Sequence, residues 1–148
     1  MIVETDLITK DSEPLSEIQM FEFLEKQLHS PRDICILAKL EGQIIGLLNL
    51  VSHPEFSGAW AGDVFLVIAK DYRGHGLGGI LMEMVIDWAQ ESDCLTRLIL
   101  TVQVRNKPAI HLYQKFGFEI DGLQTDAVLS KENHYLEVYA MSRPVNKD

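Results

Sequence analysis

One stretch constrains the fold more than any other. VFLVIA (Val64–Ala69) runs into YRGHGLGG (Tyr72–Gly79), then ILMEMVIDWA (Ile80–Ala89), then TRLILTVQV (Thr96–Val104). The outer segments are apolar runs that read as strands. Between them Ile80, Leu81, Met84, Val85 and Trp88 recur along one stripe of a helix, with Glu83, Asp87 and Glu91 opposite. Strand, helix and strand joined in this way need a crossover, so the two strands run parallel in the middle of a sheet.

The flanks add antiparallel pieces. Met1–Ile8 reads as a short first strand, and PLSEIQMFEFLEKQL places Ile18, Phe21, Leu24 and Leu28 at helical spacing. DICILAKL, a Glu41-Gly42 turn and QIIGLLNLV make a hairpin. NKPAIHLYQKFGF predicts a short helix that Asn106 caps, Pro108 enters and Gly117 ends. GFEIDGL and HYLEVYAMS close the chain as antiparallel strands around a polar turn. The class is mixed α/β rather than a doubly wound parallel sheet. With no repeat, low-complexity tract or linker, residues 1–148 form one domain.

Composition excludes several functions. A net charge of −9 with no run of like charges argues against nucleic acid and anionic membrane as partners. The apolar runs are too short to span a bilayer and no signal peptide is visible. Two cysteines, Cys35 and Cys94, are too few for a disulfide framework or a zinc site, and His29, His53 and His111 show no ligand spacing, so no metal is expected. A reducing cytoplasm is the expected setting.

Four glycines within Gly74–Gly79 are costly in regular structure because each loses much backbone freedom on folding. Bare backbone running into a helix start offers unpaired N–H groups and the positive end of the helix dipole, an anion site to which Arg73 adds a full charge. Phosphate or pyrophosphate is the natural guest. Gly74, Gly76 and Gly79 satisfy G-x-G-x-x-G, but that fingerprint normally follows the first strand of its unit and wants an acid about 20 residues on. Several elements precede the loop here, and the next strand ends in Thr101-Val102-Gln103-Val104. His75-Gly76-Leu77 offers no Gly-Lys-Ser/Thr for a Walker loop. Both nucleotide readings lose.

Arg73-Gly74-His75-Gly76-Leu77-Gly78 resembles the acyl-CoA loop, Q/R-x-x-G-x-G/A, of the GNAT superfamily of N-acetyltransferases. Asn106, Ala109, Tyr113 and Gly117-Phe118 resemble its second signature, N-x-x-A-x-x-x-Y followed by G-F. The likeness covers most of Val64–Met141. It implies a central, mostly antiparallel sheet of six to seven strands with a parallel, splayed pair and about four helices. It implies acetyl-CoA as co-substrate, with backbone N–H groups of Gly74, His75, Gly76, Leu77, Gly78 and Gly79 around the pyrophosphate and Arg73 at the entrance. Leu66, Val67 and Ile68 would pair their main chain with the pantetheine arm, and Asn106 would bond that arm, cap its helix, or both. A small-molecule, peptide or protein amine is the implied acceptor, and the family often forms homodimers.

For the chemistry, Tyr113 resembles the family's general acid. A free phenol of pKa about 10 stays protonated at neutral pH and can donate to a thiolate whose acid has pKa about 8.5. Helix spacing with Ala109, Leu112 and Phe116 leaves a packing role open. An oxyanion would meet a backbone N–H near Val67 or Ile68. Where the family often carries a glutamate base, this chain aligns Gly62 and Thr101. Asp63 is the nearest substitute, with Glu137, beside Tyr135 and His134, as second candidate. A lysine-like amine of pKa about 10.4 costs roughly 4–5 kcal/mol to deprotonate at pH 7, an α-amine near 7.8 only about 1. A site without a dedicated base therefore suits a low-pKa amine. The rival expectation is a non-catalytic acyl-CoA-binding module.

Overall fold

The computed structural model describes residues 33–56, 58–129 and 135–145. The strand expected at Met1–Ile8, the helix carrying Ile18 to Leu28, His29 and His134 lie outside them. The described elements run β1 (Ile34–Leu40), β2 (Gln43–Phe56), β3 (Ala59–Ile68), a 3-10 turn (Lys70–Tyr72), α1 (Leu77–Glu91), β4 (Leu95–Gln103), α2 (Lys107–Lys115), β5 (Glu119–Leu129) and β6 (Tyr135–Pro144).

The first hairpin forms because Glu41 and Gly42 both take left-handed backbone, φ 51° and 82°, as a two-residue turn between twisted strands requires. β2 then continues past Val51, where the sequence pattern ends, to Phe56. Pro54 and Trp60 are strand partners. Pro54 is tolerated there because β1 stops pairing at Leu50, so among the described residues no strand on that side needs its missing N–H.

The six strands form one sheet in the order β1-β2-β3-β4-β6-β5. All neighbours are antiparallel except β3 and β4, the parallel pair that the crossover through α1 demands. Their ladder runs from Trp60↔Leu95 to Asp63↔Ile99 and ends there, although β3 continues to Ile68 and β4 to Gln103. The sheet therefore opens between Val64–Ile68 and Leu100–Gln103.

Alternation along the strands divides two faces. Val64, Leu66 and Ile68 pack with Leu98, Leu100 and Val102 beneath α1 and α2 in the main core. Leu47 and Phe65 form a second cluster with Cys35, Leu37 and Val67, and their alternation with Leu48, Leu66 and Ile68 puts them on the opposite face. α1 buries Leu81, Met82, Val85, Ile86 and Ala89. The expected stripe is thus turned by about one residue, leaving Ile80 57% and Met84 48% exposed. Glycine contacts at the start of α1 explain the rotation: a Cβ on Gly78 would meet Leu112 at 3.2 Å, and one on Gly79 would meet Phe116 at 3.7 Å. Those two positions face α2, which fixes the rest of the helix. No helix among the described residues is long and apolar enough to cross a membrane.

Candidate active site

The opening between β3 and β4 needs somewhere for its backbone groups to go. Ala69 N–H donates to the Ile45 carbonyl at 2.8 Å, so by antiparallel alternation Val67 turns its amide to β2, while Leu66 and Ile68 turn theirs toward β4. Beyond Asp63 no β4 partner meets them in the ladder. The Ile68 carbonyl is taken by Arg73, whose Nε donates to it at 3.1 Å. This bond folds the guanidinium of the glycine turn back onto the strand end.

The turn itself requires glycine at two points. Gly74 and Gly76 have φ 79° and 84°, and Gly76 is the N-cap of α1 with no side-chain capping bond. That backbone strains any L-residue. It lets the first-turn amides of α1, which lack intrahelical acceptors, face outward together. Opposite them, α2 begins at Asn106, whose Oδ1 accepts from Ala109 N–H at 3.3 Å. The capping role expected for Asn106 is thereby present, and the residue is buried at the cleft wall.

These parts enclose one cleft of about 570 Å³. Of the residues singled out from sequence, Leu66, Ile68, Arg73, Gly74, Gly76, Leu77, Gly78, Gly79, Asn106 and Tyr113 line it. Tyr113 is only 4% exposed, and its ring lies 6.0 Å from that of Phe118 at 59°. Packing therefore fixes the ring while its edge reaches the cleft. His75, Val67 and Asp63 do not line it: His75 is exposed, Val67 packs in the second cluster, and Asp63 lies on that same opposite face. Glu137 and Tyr135 are exposed on β6, also away from the cleft.

Sequence reasoning missed Tyr72, Arg105, Pro108 and Leu112 as lining residues. Tyr72 and Arg105 each adjoin a motif residue, Arg73 and Asn106, which was the available signal. Arg105 matters for charge, since it gives the cleft a second guanidinium in an acidic chain. Its Nε donates to Gln103 Oε1 at 2.6 Å.

Neither aligned position carries an acid, and the first has no room for one. A Cβ at Gly62 would lie 2.8 Å from Leu50 Cδ1, and Thr101 is a ladder residue opposite Ala140. Asp63 is the last β3 residue paired to β4, and burial raises its carboxyl above the usual carboxylate range. Among the described residues no group of three or more His, Cys, Asp or Glu could hold a metal.

The mixed sheet is thus parted at its parallel pair, with a glycine turn and a helix N-terminus at the mouth of the cleft. The Acetyltransferase (GNAT) family profile matches residues 3–118, and the chain belongs to that family. It is 28% identical over 108 residues to the L-amino acid N-acetyltransferase AaaT of Escherichia coli K12, covering 73% of this chain and 66% of that protein. It is 26% identical over 111 residues to the E. coli K12 spermidine N(1)-acetyltransferase, covering 71% of this chain and 55% of that one. The chain thus spans somewhat over half the length of these relatives. A GNAT-family acetyltransferase from Streptococcus pneumoniae superposes with TM-score 0.77 at 41% identity, covering 92% of this chain and 80% of that one. The Vibrio cholerae spermidine N-acetyltransferase, solved with CoA and spermine, shares the fold at TM-score 0.75 and 21% identity, covering 97% and 83%.

Proposed function

We propose that this chain transfers the acetyl group of acetyl-CoA to an amine by direct attack in a ternary complex. The observation that carries the reading is the convergence on one cleft of the glycine turn, the open edge of β3, Asn106 and Tyr113. The first-turn amides of α1, with Arg73 and Arg105, suit the pyrophosphate. Main-chain groups of Leu66 and Ile68 suit the pantetheine amides, and Asn106 stands across from them. The thioester then falls at the parting of the strands, where whichever of the Leu66 and Ile68 amides the pantetheine arm does not use is the candidate for the oxyanion.

The amine arrives through the opening from the other face, where Asp63 accepts its proton. Nitrogen attacks the carbonyl carbon, the C–S bond breaks, and the departing thiolate takes the Tyr113 phenolic proton, which solvent later restores. The acceptors named for the E. coli relatives, amino acids and spermidine, are both amines and so agree with the class.

Thiol release from acetyl-CoA with a panel of amines tests the reading. Tyr113→Phe keeps the ring against Phe118 and removes only the hydroxyl, so it should lower kcat by roughly 10²–10⁴-fold while the chain stays folded. The filled space at Gly62 favours one second reading, an acyl-CoA-binding module without turnover. CoA binding with no thiol release from any amine would select that reading.

A further inference from the structure

Buried polar atoms in folded proteins nearly always have partners, so each exception calls for a reason. Among the described residues, two buried side-chain polar atoms have no hydrogen-bond partner: Gln103 Nε2 and Asn49 Oδ1. Gln103 is 0% exposed and Asn49 3%. Neither is needed by the cleft just described, and neither lines it.

Their positions are related. Asn49 pairs with Phe65 on β3, and Phe65 belongs to the cluster opposite α1 and α2. Gln103 is four residues beyond Ile99, the partner of Asp63, and so shares the face of Asp63 and Phe65. The two orphans are therefore buried on the same side of the sheet, the side from which the amine is proposed to reach the opening. Gln103 stands on β4 past the last ladder pair, at the border of that opening. Its orientation is set, because Oε1 is held by Arg105 and this turns Nε2 away from that bond.

We propose that Gln103 is a specificity-determining residue, its Nε2–H donating to a carbonyl or carboxylate oxygen next to the acceptor nitrogen. The preferred acceptor is then an α-amine beside a carbonyl, as in an amino acid or a peptide N-terminus, rather than a polyamine. A polyamine has donors but no oxygen, so it would leave the Gln103 amide unpaired, the situation that a buried polar site discriminates against most strongly.

This inference rests on the acetyltransferase reading, and the test separates the two. The chain is assayed for thiol release with an α-amino acid, its amide, a dipeptide, and a fluoroalkylamine of matched basicity but no carbonyl. The wild type should favour the carbonyl-bearing amines by about ten-fold or more in kcat/KM. Gln103→Met, of similar shape without the donor, should bring the ratio toward unity mainly through KM, with the melting shift on adding acetyl-CoA unchanged. Gln103→Glu, which keeps an acceptor for Arg105 but removes the donor, should favour the fluoroalkylamine. Comparing the free amino acid with the dipeptide distinguishes the two sources of the α-amine. A wild-type preference for the fluoroalkylamine overturns the proposal, even if neither variant folds. A Gln103→Met ratio equal to wild type overturns it while leaving the acetyltransferase reading intact. Absence of thiol release with every amine overturns both.

Discussion

Substituting Gly62 by alanine tests whether the sheet has room for a side chain where an acid was sought. The new Cβ would lie 2.8 Å from Leu50 Cδ1, 3.0 Å from its Cγ and 3.1 Å from its Cδ2. Three carbons of one side chain are too close at once, so rotating a single methyl does not relieve the contact. The whole isobutyl group must move, and Leu50 is 0% exposed in the main core. Overpacking of this kind costs about 1–3 kcal/mol. At about 2–4 °C per kcal/mol for a chain of this size, the melting temperature should fall by roughly 2–12 °C. Thermal melts followed by far-UV circular dichroism measure it. A double variant adds a sharper check, because Leu50→Ala opens the space that the Gly62→Ala methyl needs, so the two losses should sum to more than the double variant shows. Wild-type melting of Gly62→Ala, or strict additivity, would refute the packing argument. Gly62→Glu should not fold, and a folded, more active Gly62→Glu would also overturn the assignment of the base to Asp63.

Gly76→Ala meets no atom within 4 Å, yet its φ of 84° should cost about 1–2 kcal/mol in backbone strain. Gly76→Asn, a residue that tolerates left-handed backbone, should recover part of the loss, and equal melting of the two variants would contradict strain as the cause. Burial pushes the Cys35 thiol up to about 11. At pH 8 only about one molecule in a thousand then carries the thiolate, so native alkylation of Cys35, read by peptide mass spectrometry, should be on the order of 100-fold slower than in the denatured chain. Fast native alkylation would refute burial as the cause of the raised pKa.

What could be read from the sequence was local. The crossover between Val64 and Val104 dictates a parallel pair whatever surrounds it, and the cap at Asn106 needs only neighbouring residues. The glycines announce left-handed turns at Gly74 and Gly76 for the same reason. What could not be read depends on partners distant in sequence. Pro54 looks like a strand breaker until β1 is seen to end opposite Leu50. α1 carries two overlapping apolar stripes, and only contact of Gly78 and Gly79 with α2 decides which is buried. Gln103 reads as one polar residue in an apolar strand. Its burial and missing partner emerge only when β6 pairs alongside it and β3 turns away.

Asp63 ties stability to chemistry. Burial raises its carboxyl, so its folded pKa exceeds the unfolded value of about 3.9. The associated stability is fully present below that unfolded value and is lost as pH rises through the folded one. Asp63→Asn should therefore melt higher than wild type at pH 7, with the advantage shrinking toward pH 4, and a lower melting temperature at pH 7 would refute the burial argument. Activity should move the other way. An α-amine near pKa 7.8 is already about one-seventh neutral at pH 7, whereas a lysine-like amine near 10.4 is neutral in fewer than about one molecule in a thousand. Losing the proton acceptor should thus reduce kcat/KM for a dipeptide by about ten-fold or less and for an ε-amine by considerably more. Equal losses for both amines would remove Asp63 from proton transfer, leaving solvent at the opening between β3 and β4 as the acceptor.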